Sequence, residues 1–459
     1  MNTLFLMADE MSWWALGHMN AAVHTPNLDR LAARGLRFDA AYTPSPICVP
    51  ARAAIATGKY VHQIGTWSSA QAYEGTPRSW GHTVQATGAE AVSIGKLHYR
   101  SATDDTGFNR QINPIHIPGG IGWVRGLLRK PLCSYDATAD LAEMIGAGDS
   151  DYLHYDREVT AKAVDWLGQP ERKRKPWAAF VSWVCPHYPF IAPQEFYDLY
   201  DPADYEGGAG FVPDHAILRE IAGFFSHEAH FTPQTRGIAR AAYFGLCSFI
   251  DAQVGKVLKA LEAAGMADDT LIIFTSDHGE MLGERGFWTK SCMYDSAARV
   301  PLIVAGAGID AGIRTDPVSL IDIAPTIVAA MGGDTDGFDG CDLRAPPDPD
   351  RTVLSEYHDG GASVGITMVR WGRWKYVHYA EGHPSQLFDV GRDPAEAQDL
   401  ATARPDVCAD ALQRLAKWMD PEEVNQRAHA DQATRVTELG GRAKLEAAPQ
   451  WNFTPADSR

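Results

Sequence analysis

An α/β fold built on an open sheet is what this sequence predicts, and three observations predict it. The run Asn2-Thr3-Leu4-Phe5-Leu6-Met7-Ala8 is a buried apolar strand that ends in Asp9-Glu10. A second run, Leu271-Ile272-Ile273-Phe274-Thr275-Ser276, ends in Asp277-His278-Gly279-Glu280. Helical patterns lie between the apolar runs, and continuous rather than alternating hydrophobicity belongs to strands covered on both faces. In an open α/β sheet, ligands bind beyond the carboxyl ends of the strands. Two strands that each finish in acidic residues therefore bring Asp9, Glu10, Asp277 and His278 to one edge, as oxygen and nitrogen donors for a single divalent cation. Taken singly, each acidic pair reads as a helix cap or turn; the next motif favours the metal reading.

That motif is Cys48-Val49-Pro50-Ala51-Arg52. Proline opens a helix at its first turn, where its missing N–H costs nothing. Ala51, Ala53, Ala54 and Ala56 carry the helix to a stop at Thr57-Gly58. Cys48 then sits just ahead of a helix N-terminus, where backbone N–H groups favour an anion, and Arg52 adds positive charge about one turn in. By itself the pentapeptide also reads as a buried cysteine before a capped helix, with Arg52 in a surface ion pair.

The remaining elements follow from period and punctuation. Residues 26 to 36 read as an amphipathic helix ending near Gly35. Residues 91 to 95 read as a short strand feeding Lys96 and His98 into a loop. The stretch 101–135 is rich in Gly and Pro, irregular, and suited to walling a pocket. A helical pattern covers 152–166, and a strand over 177–184 runs into Cys185-Pro186-His187. A long helix begins near Thr235, with Ala239, Tyr243, Leu246, Ile250, Val254, Val257 and Leu261 at helical spacing as core. Residues 300–305 form another buried strand. Gly and Pro clusters over 335–350 mark a boundary. After it, 352–357, 366–371 and 374–379 read as short strands, and the tail from about Glu422 is polar.

In this order the segments resemble the formylglycine-dependent sulfatases and their relatives, the phosphonate monoester hydrolases, of the alkaline phosphatase superfamily. The resemblance runs to about residue 405. It is carried by Leu4 to Glu10, Thr25-Pro26-Asn27-Leu28-Asp29-Arg30-Leu31-Ala32, Cys48 to Gly58, Gly95-Lys96-Leu97-His98, Pro186-His187-Tyr188-Pro189-Phe190, and Thr275 to Gly283. Lys290, Tyr294, Arg299 to Val304 and Asp322 to Thr326 continue it. It implies a large mixed, mostly parallel sheet flanked by helices, alkaline-phosphatase-like, with a smaller C-terminal antiparallel sheet subdomain. The implied units are a catalytic domain over 1–345, a small α+β subdomain over 346–420, and a tail over 421–459. In relatives such tails often wrap a neighbouring subunit, which would make a homo-oligomer; the alternative is a loosely held terminus.

The resemblance also implies chemistry. Cys48 would be oxidised to formylglycine by a formylglycine-generating or equivalent maturation enzyme. One divalent cation, Ca2+ or Mn2+, would sit on Asp9, Glu10, Asp277 and His278. Arg52 and Lys96 would bind the anionic ester oxygens, and His98 would assist collapse of the covalent intermediate. His187 and Lys290 would protonate the leaving group. The implied activity is hydrolysis of sulfate monoesters; a phosphonate monoester or phosphodiester, also singly charged, is the alternative. Glu10 stands where the family more often shows Asp, Asn or Gln. His278 is shared with only some members, and its nitrogen favours manganese more than an all-oxygen site would, which leaves calcium and manganese nearly level; Val49 is bulkier than the small residues common there.

Composition agrees. The 459 residues suit one large α/β domain with a smaller one. A net charge of −17 argues against nucleic acid or an anionic membrane surface as a partner, while leaving room for a local cationic pocket that takes a small anionic ester. No apolar run approaches membrane-spanning length. The sequence enters a strand with no basic leader, so the cytoplasm is the expected setting. Seven cysteines, scattered without metal-type spacing, fit reduced thiols. Trp13, Trp14, Trp67, Trp123 and Trp288 are the candidates for an aromatic pocket wall.

Overall fold

The computed structural model describes residues 1–135, 137–208, 210–449 and 453–456. One eight-stranded sheet runs Gly312–Arg314, Leu36–Phe38, Leu302–Gly306, Thr270–Ser276, Asn2–Asp9, Trp177–Pro186, Glu90–Gly95, Arg110–Ile112. The last five of these lie parallel to one another. Leu302–Gly306 is antiparallel to both its neighbours, so the sheet is mixed and mostly parallel.

Side chains of a strand alternate between faces. Leu4, Leu6 and Ala8 pack on one face with the helices Pro26–Ala33, Asp151–Leu167 and Pro233–Ala263. Phe5 and Met7 pack on the other with the helices Cys48–Thr57, Trp80–Ala86 and Ile323–Ala330. Both faces are dry, which explains the unbroken apolar runs. A second sheet of four antiparallel strands, Thr352–Tyr357, Ile366–Trp371, Trp374–Tyr379 and Gln386–Asp389, stands beyond residue 350.

Several boundaries shift from the sequence reading. The helix read over 26–36 ends at Ala33, and Leu36 already belongs to a strand. Gly35 does not cap it; a Cβ there would fall 2.6 Å from the Val304 carbonyl oxygen, so the glycine serves strand approach. The helix of the cysteine motif starts at Cys48 itself, with Ile47 as N-cap, two residues before Pro50. It ends as read, at Thr57, with Gly58 left-handed at φ 62°. The irregular stretch 101–135 supplies the edge strand Arg110–Ile112. The polar tail holds two helices, Pro421–Glu438 and Arg442–Glu446, on its own chain. Trp67 Nε1 donates to Asp431 at 2.8 Å, and Gln432 Nε2 donates to the His358 carbonyl at 2.6 Å. Residues 450–452 and 457–459 of that tail lie outside the described residues.

Candidate active site

Three elements converge at the carboxyl edge of the large sheet. Asp9 is the last residue of its strand, past a register shift that falls between Met7 and Asp9. Such irregularities re-aim a side chain at a strand end. Glu10 follows in a left-handed conformation, φ 68°, and its N–H donates to Asp277 Oδ1 at 3.2 Å. Asp277 directly follows the neighbouring parallel strand. Cys48, first in its helix, reaches in from the second face. Its Sγ is 3.1 Å from His278 Nε2, 3.6 Å from Asp9 Oδ1 and 3.6 Å from Lys290 Nζ.

Donor atoms of Asp9, Cys48, Asp277 and His278 all lie within 4.8 Å of one another. His278 Nδ1–H donates to the Gly279 carbonyl at 3.0 Å, which turns Nε2 toward the cluster. Two carboxylates and an imidazole in this spacing fit a divalent cation. Glu10 does not join that group; with Asp9 and His187 it forms a second one. Glu10 Oε2 accepts from Lys290 Nζ at 3.0 Å and lies 3.3 Å from His187 Nε2. Among the described residues, its buried Oε1 has no partner.

Arg52 and Lys96 stand elsewhere than on the rim of the cavity. Arg52 donates to Asp277 Oδ2 at 2.7 Å and to Asp9 Oδ2 at 2.8 Å, and Lys96 Nζ is 2.6 Å from Asp9 Oδ2. Both are buried behind the carboxylates, so they brace the acids at the strand tips. Lys290 Nζ donates to His187 Nε2 at 2.8 Å, and both residues face the cavity. His98 faces it too.

The charges reshape one another. Burial and the neighbouring Cys48 push the Asp9 carboxyl up, but Lys96 and Arg52 outweigh them and hold it well below the carboxylate range. Burial and Asp9 push Asp277 up. Burial opposes ionisation of Cys48, yet Lys290, Lys96 and His278 bring its thiol well below the usual value. A buried thiol held low by neighbouring cations marks residue 48 as a reactive position. Burial would lower His278, but Asp277 and Cys48 carry it up to about 9. His98 is pushed down to about 3 by burial and Lys96.

The cavity in front of Cys48 encloses about 960 Å³, its open mouth included. Ile117, Pro118, Gly122, Trp123 and Tyr135 line it, so the irregular stretch does form a wall. Of the five tryptophans, Trp123 lies there. Trp13 and Trp14 face another hollow, while Trp67 meets His358 edge-on and Trp288 stacks on Phe231. Sequence reasoning missed Asp359, Tyr357, Phe225, His227, Phe453 and Thr454, all on this cavity. Asp359 stands in Asp-Gly-Gly after a strand, a pattern that reads as a turn. Its buried carboxyl accepts from Ser69 N at 3.0 Å, Ser69 Oγ at 2.8 Å and Gly360 N at 2.7 Å.

Comparison with known proteins gives the lineage. The sequence model of the family described as Sulfatase matches residues 1–333. A choline-sulfatase of Rhizobium meliloti (strain 1021) is 33% identical over 422 residues, spanning 87% of this chain and 82% of that protein. An arylsulfatase K of Danio rerio is 28% identical over 449 residues, spanning 89% of this chain and 82% of that protein. Among solved structures, the phosphonate monoester hydrolase SpPMH from Silicibacter pomeroyi superposes with a TM-score of 0.70 at 24% identity, covering 91% of this chain and 96% of that one. At that identity the likeness speaks to the fold.

Proposed function

This chain belongs to the sulfatase family and is a sulfuric ester hydrolase; from that premise we propose that it cleaves the sulfate monoester of a small alcohol through residue 48, matured to formylglycine, beside one divalent cation, Ca2+ or Mn2+. The observation that carries the reading is the meeting at one point of Cys48 Sγ, the Asp9 and Asp277 carboxylates and His278 Nε2. A hydrated aldehyde at residue 48 supplies two hydroxyls, one to attack sulfur and one to expel sulfate afterwards. A cation held by Asp9, Asp277 and His278 would supply charge neutralisation and a lowered pKa for the attacking hydroxyl, while Glu10 stands in its own group with Asp9 and His187.

The chain's own groups do the rest. Asp277 takes the proton of the attacking hydroxyl. Arg52 and Lys96 hold Asp9 ionised, Arg52 orients both strand-tip carboxyls, and their charge offsets that of the ester. Lys290 and His187, hydrogen-bonded as a pair on the cavity side, give a proton to the departing alcohol oxygen. His98 receives the proton released when sulfate leaves.

The far wall bears on the alcohol. Trp123, Tyr135, Phe225 and Tyr357 line the cavity together with the buried carboxyl of Asp359, and aromatic faces in one cavity with a carboxylate suit a positively charged alcohol. The name of the choline-sulfatase relative agrees; the arylsulfatase K relative favours an aromatic leaving group.

Two measurements test the reading. Intact-mass analysis of the Cys48 peptide, from protein made with a maturation enzyme, should show sulfur and two hydrogens replaced by oxygen. A panel of choline sulfate, an aryl sulfate and a phenyl phosphonate should show a sulfate ester hydrolysed fastest. An unmodified thiol with no hydrolysis, or a phosphonate preferred by several hundredfold, overturns it.

A further inference from the structure

We propose that Phe453 and Thr454, near the C-terminal end of the chain, belong to the active site: Thr454 positions His98, and Phe453 limits the size of the leaving group. The inference rests on the sulfatase reading above. Thr454 is 356 positions from His98 in sequence, yet its Oγ1 is 2.7 Å from His98 Nε2. Its carbonyl accepts from the Tyr152 hydroxyl at 2.6 Å. Phe453 packs edge-on against Tyr152 and Tyr188, with ring centroids 5.5 and 5.6 Å apart. Both residues line the same cavity as Cys48. Two hydrogen bonds and two ring contacts fix this segment at the mouth of the site.

His98 is buried in a left-handed turn, φ 59°, and among the described residues its Nδ1 has no partner. A neutral imidazole carries one proton, and the group bonded to one nitrogen decides which nitrogen holds it. The Thr454 hydroxyl can donate or accept; we assign it the acceptor role, with Nε2–H donating, which leaves the Nδ1 lone pair free. Collapse at residue 48 needs such an acceptor: the remaining hydroxyl gives its proton to His98, the C–O bond to sulfate breaks with its electron pair leaving on sulfate, and the C=O bond reforms. Thr454 therefore acts through His98 and is a positioning residue. Phe453 lines the cavity from the tail side, so small alcohols fit and bulky ones meet the ring.

The test uses the full chain. In the unoxidised Cys48 form, nitrogen NMR of the His98 ring should report Nε2 protonation in the wild type and in Thr454→Ser, and a mixed tautomer in Thr454→Ala. In the matured enzyme Thr454→Ala should lower kcat about 10–100-fold with KM little changed, while Thr454→Ser retains most of it. Phe453→Ala should raise kcat/KM for a bulky sulfate ester relative to a small one by about tenfold. Wild-type His98 signals and kcat in Thr454→Ala overturn the positioning role, and an unchanged bulky-to-small ratio in Phe453→Ala overturns the size limit. If neither the wild type nor any variant hydrolyses an ester, the sulfatase reading fails, and the His98 tautomer still decides the Thr454 contact.

Discussion

Asp277 is the residue on which the site's opposing demands meet. It is fully buried, its carboxyl is raised by burial and by Asp9, and Arg52 Nε holds one of its oxygens at 2.7 Å while Glu10 N–H holds the other at 3.2 Å. Asp277→Asn keeps the shape and removes the charge. The amide oxygen can still accept from Arg52 or from Glu10, so the fold should survive with a loss of about 1–3 kcal/mol, the cost of weakening one buried charged hydrogen bond. Cation content, measured by elemental analysis after dialysis, should fall together with turnover, by about 100-fold or more in kcat. A variant that keeps both its metal and its rate would remove Asp277 from the ligand set. Arg52 and Lys96 illustrate a limit of residue-level reading. The sequence shows cations near the nucleophile but not which anion they face, and the strand-tip carboxylates lie closer to them than the cavity does.

Among elements, the strand Glu90–Gly95 shows how an end is specified. Gly95 has φ 103°, and a Cβ there would lie 2.1 Å from the Ser182 carbonyl oxygen of the adjacent strand. The next residue, Lys96, donates its N–H to that same oxygen at 2.9 Å. Gly95→Ala must push the strands apart or rotate the peptide, a cost of about 1–3 kcal/mol. It should also swing Lys96 Nζ away from Asp9. A lowered melting temperature accompanied by a fall in kcat larger than the lost folded fraction is the expected result. A melting shift with unchanged kcat would mean that Lys96 keeps its place. The paired strands were legible because both faces are buried and the apolar runs are unbroken, and the helix stop at Gly58 because a left-handed cap demands glycine. What was not legible depends on partners far away in sequence. Gly35 mimics a helix cap, yet it serves an approach to Val304; Asp359 mimics a turn, yet it is bound by Ser69; Thr454 sits in a polar tail, yet it meets His98. Local pattern carries no information about such pairings.

At the scale of the molecule, the small antiparallel sheet is fastened to the segments around it by charge as well as apolar surface. Lys375, on the third small strand and fully buried, places Nζ 2.7 Å from Asp295 Oδ1 and 2.7 Å from Glu396 Oε1. Asp295 N–H donates to Glu396 Oε2 at 2.7 Å, and the Tyr42 hydroxyl bridges Arg370 and Asp295 at 3.1 and 3.3 Å. Burial would raise Asp295, but Lys375 and Arg299 hold it below the ordinary carboxylate value. Glu396 is pushed up to about 7 by burial against the pull of Lys375. Burial works against the Lys375 ammonium, yet Asp295 and Glu396 raise it. Its contribution is therefore complete below the ordinary lysine value and lost only in strong alkali. That of Asp295, whose carboxyl is depressed, is present above the ordinary carboxyl range and lost in acid. Lys375→Met fills the same space and leaves Glu396 without its cation and Asp295 with Arg299, which should cost about 3–5 kcal/mol at neutral pH. In the variant both carboxyls lose the cation that lowers them, so its stability relative to the wild type falls as pH rises through the carboxyl range and recovers as they protonate. Denaturant midpoints measured from pH 4 to 8 should show the gap to the wild type narrowing steadily toward the acid end. A gap of constant size would assign the loss to packing, and the small sheet would then be held in place by apolar contacts alone.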